Sequence, residues 1–67
     1  MFQAVVWSGS TARAIVRESP EFSTEREALK WADSETRKLR SQYSRRKHWR
    51  GKLLKNGLLD RFFGDHS

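Results

Sequence analysis

The absence of cysteine from a chain of 67 residues is the strongest limit on what it can fold into. A domain of this size buries only about 60% of the surface that its unfolded chain exposes. Disulfide bonds and cysteine-ligated zinc, the usual supports of very small folds, are both excluded. The chain therefore has to build one small core from its apolar side chains, and oligomerisation or a partner would have to supply any further burial.

The N-terminal segment FQAVVW lacks the pattern of a secretory signal peptide, because it is short, has no basic leader and continues into a polar turn. No stretch approaches the roughly 20 apolar residues of a membrane span. We therefore expect a soluble, cytoplasmic protein without a membrane partner.

The positive net charge of +6 is concentrated in one part of the chain. Residues 1–35 carry four Lys/Arg and six acids, whereas residues 36–59 carry nine Lys/Arg and no acid. Residues 60–67 carry one basic residue and two acids. This separation favours a polyanionic partner. It also suggests a division into a core domain, residues 1–40, and a basic then apolar C-terminal extension, residues 41–67.

Two segments, residues 2–7 and 11–17, have the alternating apolar pattern of strands and are bounded by turn residues. A three-residue hairpin loop with Gly9 or Ser10 in the left-handed conformation would place Val6 opposite Ala12. A two-residue loop would shift the register by one and mix the two faces. With the longer loop, the side chains predicted on the outer face of the sheet are Gln3, Val5, Trp7, Thr11, Arg13, Ile15 and Arg17.

The segment PEFST adds a candidate third strand, since proline is tolerated at a strand start or edge. A helix is predicted to follow, with Ser23 or Thr24 as N-cap, acids in its first turn and basic residues near its end. The predicted fold class is therefore α+β, a small two- or three-stranded antiparallel sheet packed on one α-helix. The helical residues predicted to pack on the sheet are Leu29, Trp31, Ala32 and Leu39.

Beyond residue 40 the conformation stays open. Arg, Lys and Gln are fair helix formers, but Gly51 and the pair Asn56-Gly57 interrupt a continuing helix. If the end of the chain is helical, Leu54, Leu58 and Phe62 form one apolar stripe. We interpret that stripe as a satellite core or a protein contact, including a homodimer, in preference to a membrane anchor, whose amphipathic pattern would be interrupted.

The basic run provides many potential phosphate contacts, and its interleaved aromatic and histidine side chains could stack on exposed bases. The alternative is a solvated helical face that binds nothing. Under the first interpretation, the nucleic-acid contacts predicted in this run are Arg37, Arg40, Tyr43, Arg45, Arg46, Lys47, His48, Trp49, Arg50 and Lys52.

The outer face of the predicted sheet is a second candidate site, formed by Trp7, Arg13 and Arg17. A narrow β-ribbon can enter the major groove of DNA, where arginine recognises guanine and apolar groups contact the thymine methyl. The alternative is that the C-terminal extension covers Trp7 and that both arginines only keep the face soluble.

Nothing in the sequence indicates catalysis. His48 and His66 have no cysteine or paired histidine at metal-ligand spacing, and the serines lack a convincing His/Asp partnership. The helix dipole accounts for the acids near the predicted helix start. We therefore predict a protein that is not an enzyme and that has no metal, no cofactor and no small-molecule substrate.

After the predicted strands, the chain carries the phrase F-x-T-x-x-E-A-x-x-W/Y-A, formed by Phe22, Thr24, Glu27, Ala28, Trp31 and Ala32. This phrase and the order of strands and helix resemble AP2-type domains and the arm-type N-terminal domains of phage tyrosine recombinases. The resemblance covers residues 2–40. In those families the sheet enters the DNA major groove, which implies a binding role here for Trp7, Arg13 and Arg17.

Phe22, Ala28, Trp31 and Ala32 are also similar to a phrase in a small bacterial cell-division activator of the same build, a type of protein associated with DNA and with RNA polymerase. Two functions are therefore expected, because fold does not fix function. The first is a regulatory protein of bacterial or phage type that binds nucleic acid, most simply duplex DNA. The second is an interaction module that modulates a host enzyme such as RNA polymerase through its basic patch and apolar tail.

Overall fold

A computed structural model describes residues 1–9, 14–43 and 48–64. In chain order the elements are β1 (Phe2–Ser8), β2 (Ile15–Glu18), α1 (Glu25–Gln42), β3 (Arg50–Lys55) and β4 (Leu58–Gly64). The four strands form one antiparallel sheet in the order β2-β1-β3-β4, and the helix packs against β1 and β3. The predicted α+β class, an antiparallel sheet on one helix, is confirmed.

Helix α1 begins where its local signals predict. The Thr24 hydroxyl oxygen accepts a hydrogen bond from the Glu27 backbone N–H at 3.2 Å and donates one to the Glu27 carboxylate at 3.1 Å. The helix ends at Gln42, and the Tyr43 N–H closes its last turn on the Leu39 carbonyl at 2.8 Å. Within the described ranges, helical structure lacks the length and apolar composition of a membrane-spanning segment.

The core lies between α1 and the face of the sheet that α1 covers. Ala32 and Leu39 are buried in it as predicted, and Leu29 and Trp31 are half-buried against it. Two of its largest side chains come from beyond residue 40, so the first 40 residues do not supply the whole core. The buried cluster consists of Ala4, Val6, Ala28, Ala32, Leu39, Trp49 and Leu53.

The register of β1 and β2 differs from the predicted one. Val6 lies opposite Arg17, and Trp7 lies opposite Val16, whereas the sequence predicted Val6 opposite Ala12. The shift changes which residues of β2 share a face with β1, because side chains alternate along a strand. Val16 therefore lies on the outer face, and the prediction that Arg17 lies there is wrong.

The segment PEFST does not add a strand. Phe22 exchanges two backbone hydrogen bonds of 2.6 Å with Phe2 in a single bridge, and the Ser19 N–H donates to the Ala4 carbonyl at 2.8 Å. The chain after β2 thus continues along the same edge of β1.

The C-terminal segment forms a β-hairpin, so the helical alternative is wrong. Asn56 and Gly57 have φ values of 52° and 82° and make a two-residue turn between β3 and β4, a conformation that favours exactly this residue pair. β3 pairs with β1 inside the sheet, and β4 forms an edge. The predicted helical stripe of Leu54, Leu58 and Phe62 therefore does not exist, because these side chains belong to two different strands.

Candidate nucleic-acid interface

The outer sheet face is the surface of the sheet opposite α1. Ala4, Val6 and Leu53 point towards the helix and are buried, so the alternate positions of β1 and β3 point away from it. The strand registers extend the same face to β2 and β4. Its members are Gln3, Val5 and Trp7 on β1, Val16 and Glu18 on β2, Arg50, Lys52 and Leu54 on β3, and Leu59 and Phe62 on β4.

An aromatic pair lies on this face. The rings of Trp7 and Phe62 meet edge to face, with centroids 6.4 Å apart and planes at 78°. Phe62 remains 60% exposed, and Trp7 is half-buried. Lys52 lies between the two strands that carry the rings, paired with Val5 on β1 and with Phe62 on β4. The residues that line the resulting concavity of about 340 Å³ are Val5, Trp7, Val16, Lys52, Leu59 and Phe62.

A second, more polar concavity of about 280 Å³ adjoins the first at Trp7. Arg50 pairs directly with Trp7 across β1 and β3, and both residues line this concavity together with His48. The Ser8 hydroxyl donates to the His48 carbonyl at 2.6 Å and fastens the start of β3 to the end of β1. Trp7, His48, Arg50 and Lys52 were all predicted contacts, and the structure brings them together.

The charge near the aromatic pair is positive. Arg50 and Lys52 are neighbours of the two rings, and neither has a salt bridge to any described residue. Glu18 lies on the same face but on edge strand β2, one strand beyond Val5. The outer sheet face thus combines two accessible rings with two neighbouring cations.

Other predicted contacts lie elsewhere. Arg37, Arg40 and Tyr43 belong to the end of α1, on the opposite side of the sheet, and Arg37 pairs with Asp33 at 3.3 Å. Arg17 points to the helix side of edge strand β2 and donates to the Val16 carbonyl at 3.1 Å. Four predicted contacts, Arg13, Arg45, Arg46 and Lys47, lie outside the described residues.

Trp49 was predicted to stack on bases, and the structure contradicts this. Its side chain is only 1% exposed and belongs to the core beneath α1. A base cannot reach the indole ring, so the role of Trp49 is to hold the start of β3 against the helix.

The sequence interpretation missed Phe62, Leu59 and Val16 as parts of the site. The signal for the first two was present, because Asn-Gly between apolar segments is a strong indication of a two-residue β-hairpin. A hairpin centred on Asn56-Gly57 places the end of the chain beside β3 and so brings Phe62 next to Lys52.

The described ranges contain no group of three or more His, Cys, Asp or Glu side chains placed to hold a metal ion. Comparison of the chain with protein-family models, curated protein sequences and solved structures finds no match in any of the three. Any functional conclusion therefore depends on the geometry and charge of the outer sheet face.

Proposed function

We propose that this protein is a small regulatory protein of bacterial or phage type that binds nucleic acid through its outer sheet face. The observation that carries the proposal is the Trp7–Phe62 pair, which lies beside Arg50 and Lys52 on a face that no other described element covers. Aromatic rings offer stacking surfaces to bases, and the two cations offer contacts to phosphates.

The charge distribution supports the same proposal. The net charge of +6 attracts polyanions at long range. Its basic residues extend along the sequence from the end of α1 through β3, and residues 44–47, which lie outside the described ranges, contribute three further cations. The basic run would supply contacts that position the protein, while the outer sheet face contacts the bases.

We expect binding of a labelled oligonucleotide to depend steeply on salt. Each neutralised phosphate releases condensed counterions, so the logarithm of the affinity should fall linearly with the logarithm of the salt concentration. Fluorescence anisotropy titrations at four or five salt concentrations, with both a single strand and a duplex, measure this slope. Failure to bind either probe at low salt, or affinity that salt does not change, would contradict the proposal.

A second candidate function is a protein-interaction module. It is favoured by the exposed leucines of edge strand β4, where Leu58 and Leu59 remain 75% and 52% exposed. Exposed apolar side chains on an edge strand are available for contact with another protein, including a second copy of the chain. Here the basic patch would speed encounter with an acidic surface, and the leucines would hold the complex.

The two functions predict different results in a pull-down from nuclease-treated bacterial lysate. The interaction module should retain one stoichiometric protein, and a Leu58→Lys/Leu59→Lys variant should lose it. The nucleic-acid-binding function predicts that nuclease removes the bound material. Sedimentation of the purified chain at several concentrations tests for the homodimer, which would appear as a mass that rises with concentration.

A further inference from the structure

We infer that the outer sheet face binds single-stranded nucleic acid, with unpaired bases stacked on Trp7 and Phe62. This inference rests on the proposed function and specifies its substrate class. It depends on three properties of the face: the chemistry of its side chains, its width and the pairing of each ring with a cation.

The chemistry of the face suits the flat surfaces of bases better than their edges. Recognition of base edges in a duplex groove needs hydrogen-bond donors and acceptors, but Val5, Leu59 and Phe62 have none. Gln3 is the amide on this face, and its Nε2 is already used within the chain, donating to the Ser19 carbonyl at 2.9 Å. The rings therefore offer stacking, which only unpaired bases can use, and the cations Arg50 and Lys52 remain for phosphates.

The width of the sheet also favours a single strand over the groove of a duplex. The major groove of DNA is about 12 Å wide and admits a helix or a two-stranded ribbon. Four strands spaced about 4.8 Å apart span roughly 14 Å between the outermost backbones, before side chains are added. The two rings belong to β1 and β4 and meet over β3, which lies between these strands, so a ligand that contacts both lies over β3.

Each ring has a cation as its register neighbour. Arg50 pairs with Trp7, and Lys52 pairs with Phe62. A nucleotide likewise combines a flat ring with an anion. The two ring–cation pairs, whose rings are 6.4 Å apart, match two nucleotides of one strand, with the bases on the rings and the phosphates near the cations. Because every base has a π-face, we expect only a modest dependence on base sequence.

The test compares three 12-nucleotide probes under one buffer condition by fluorescence anisotropy. The probes are a thymidine single strand, a strand with the same phosphates but abasic sugars, and the corresponding duplex. Since two rings each stack one base, the intact single strand should bind at least about thirtyfold more tightly than the abasic strand, and the duplex should bind more weakly than the intact single strand.

The failures of the two proposals are distinguishable. Equal binding of the intact and abasic strands would overturn the stacking inference and leave nucleic-acid binding through phosphates intact. If the duplex bound as tightly as the intact single strand or more tightly, the inference would be overturned in favour of a groove contact. Absence of binding to all three probes would overturn the proposed function itself.

Variants of Phe62 locate the stacking site. Phe62→Leu keeps an apolar side chain but removes the ring, and we expect it to bind the intact strand at least about fivefold more weakly while binding the abasic strand unchanged. Phe62→Tyr should keep the wild-type affinity. Leu58→Ala on the same strand is the control. Since Phe62 is largely exposed, circular dichroism should show folded protein for all three. Unchanged binding of the intact strand by folded Phe62→Leu would overturn the inference.

Discussion

Trp49→Ala is expected to lower the thermal unfolding midpoint by tens of degrees. The side chain is almost fully buried and packs in one cluster with Val6, Leu39 and Leu53. Replacement of a buried Trp by Ala costs about 3–5 kcal/mol, and a 67-residue domain has a free energy of unfolding of only about 3–10 kcal/mol. Thermal unfolding followed by circular dichroism should show a midpoint lowered by tens of degrees or no cooperative transition.

Two further variants separate the structural role of Trp49 from binding. Trp7→Ala removes the same side chain from the outer sheet face, where it is only half-buried, so this variant should remain folded and lose affinity for single strands. Trp49→Phe fills most of the cavity and should restore both the fold and binding. A Trp49→Ala protein that unfolds at the wild-type temperature but no longer binds would contradict the buried position of the indole. Such a result would support the base-stacking role that was predicted for Trp49 from the sequence.

Helix α1 was predictable because its signals are local. The hydroxyl of Thr24, the acids of the first turn and the helical spacing of Ala28, Ala32 and Leu39 all lie within one short segment. Each of these signals involves residues that are close together along the chain, so the helix can be predicted from the sequence alone.

The register of the first hairpin was not predictable in this way. Ala4 and Val6 face the helix in the predicted register and in the observed one, so their burial does not distinguish the two. The observed register also depends on Ser19, whose hydroxyl accepts a hydrogen bond from the Ala4 N–H at 2.8 Å. That contact joins residues fifteen positions apart, and no local pattern indicates it.

The C-terminal hairpin was missed for a different reason. Apolar doublets at residues 53–54, 58–59 and 62–63 fit a helical spacing of four as well as they fit two strands. The turn at Asn56-Gly57 decides between them, because both residues take positive φ values there. Gly51 gives a second reason for the hairpin: a Cβ at this position would overlap the Phe63 ring, which packs over β3 from the neighbouring strand.

The candidate site was predicted in part. Trp7 and the basic residues of β3 were identified as candidates from the sequence. They lie side by side because β1 pairs with β3, and the paired residues are more than forty positions apart along the chain. Phe62 lies beside these residues because β4 pairs with β3. The site therefore depends on long-range strand pairing, which is difficult to predict from a single sequence.

Arg50→Gln/Lys52→Gln is expected to weaken binding of a single strand about 25-fold at 0.1 M salt. Each lost phosphate contact should reduce the salt slope by about 0.7. Two lost contacts therefore reduce the salt slope by about 1.4. If the wild type and the variant bind equally at 1 M salt, this difference in slope makes the affinity of the variant about 25-fold lower at 0.1 M salt. Both side chains are on the outer sheet face, and glutamine keeps most of the stem of Lys52, so the fold should be retained.

The matched control is Arg26→Gln/Lys30→Gln, which removes one arginine and one lysine from the exposed surface of α1, on the other side of the sheet. Both double variants have the same net charge, so a purely long-range attraction would weaken equally in the two. Local phosphate contacts on the outer sheet face predict a reduced slope for Arg50→Gln/Lys52→Gln and a nearly wild-type slope for the control. Equal losses would show that the protein attracts nucleic acid by its overall charge alone, and a larger loss in the control would place the binding surface on α1.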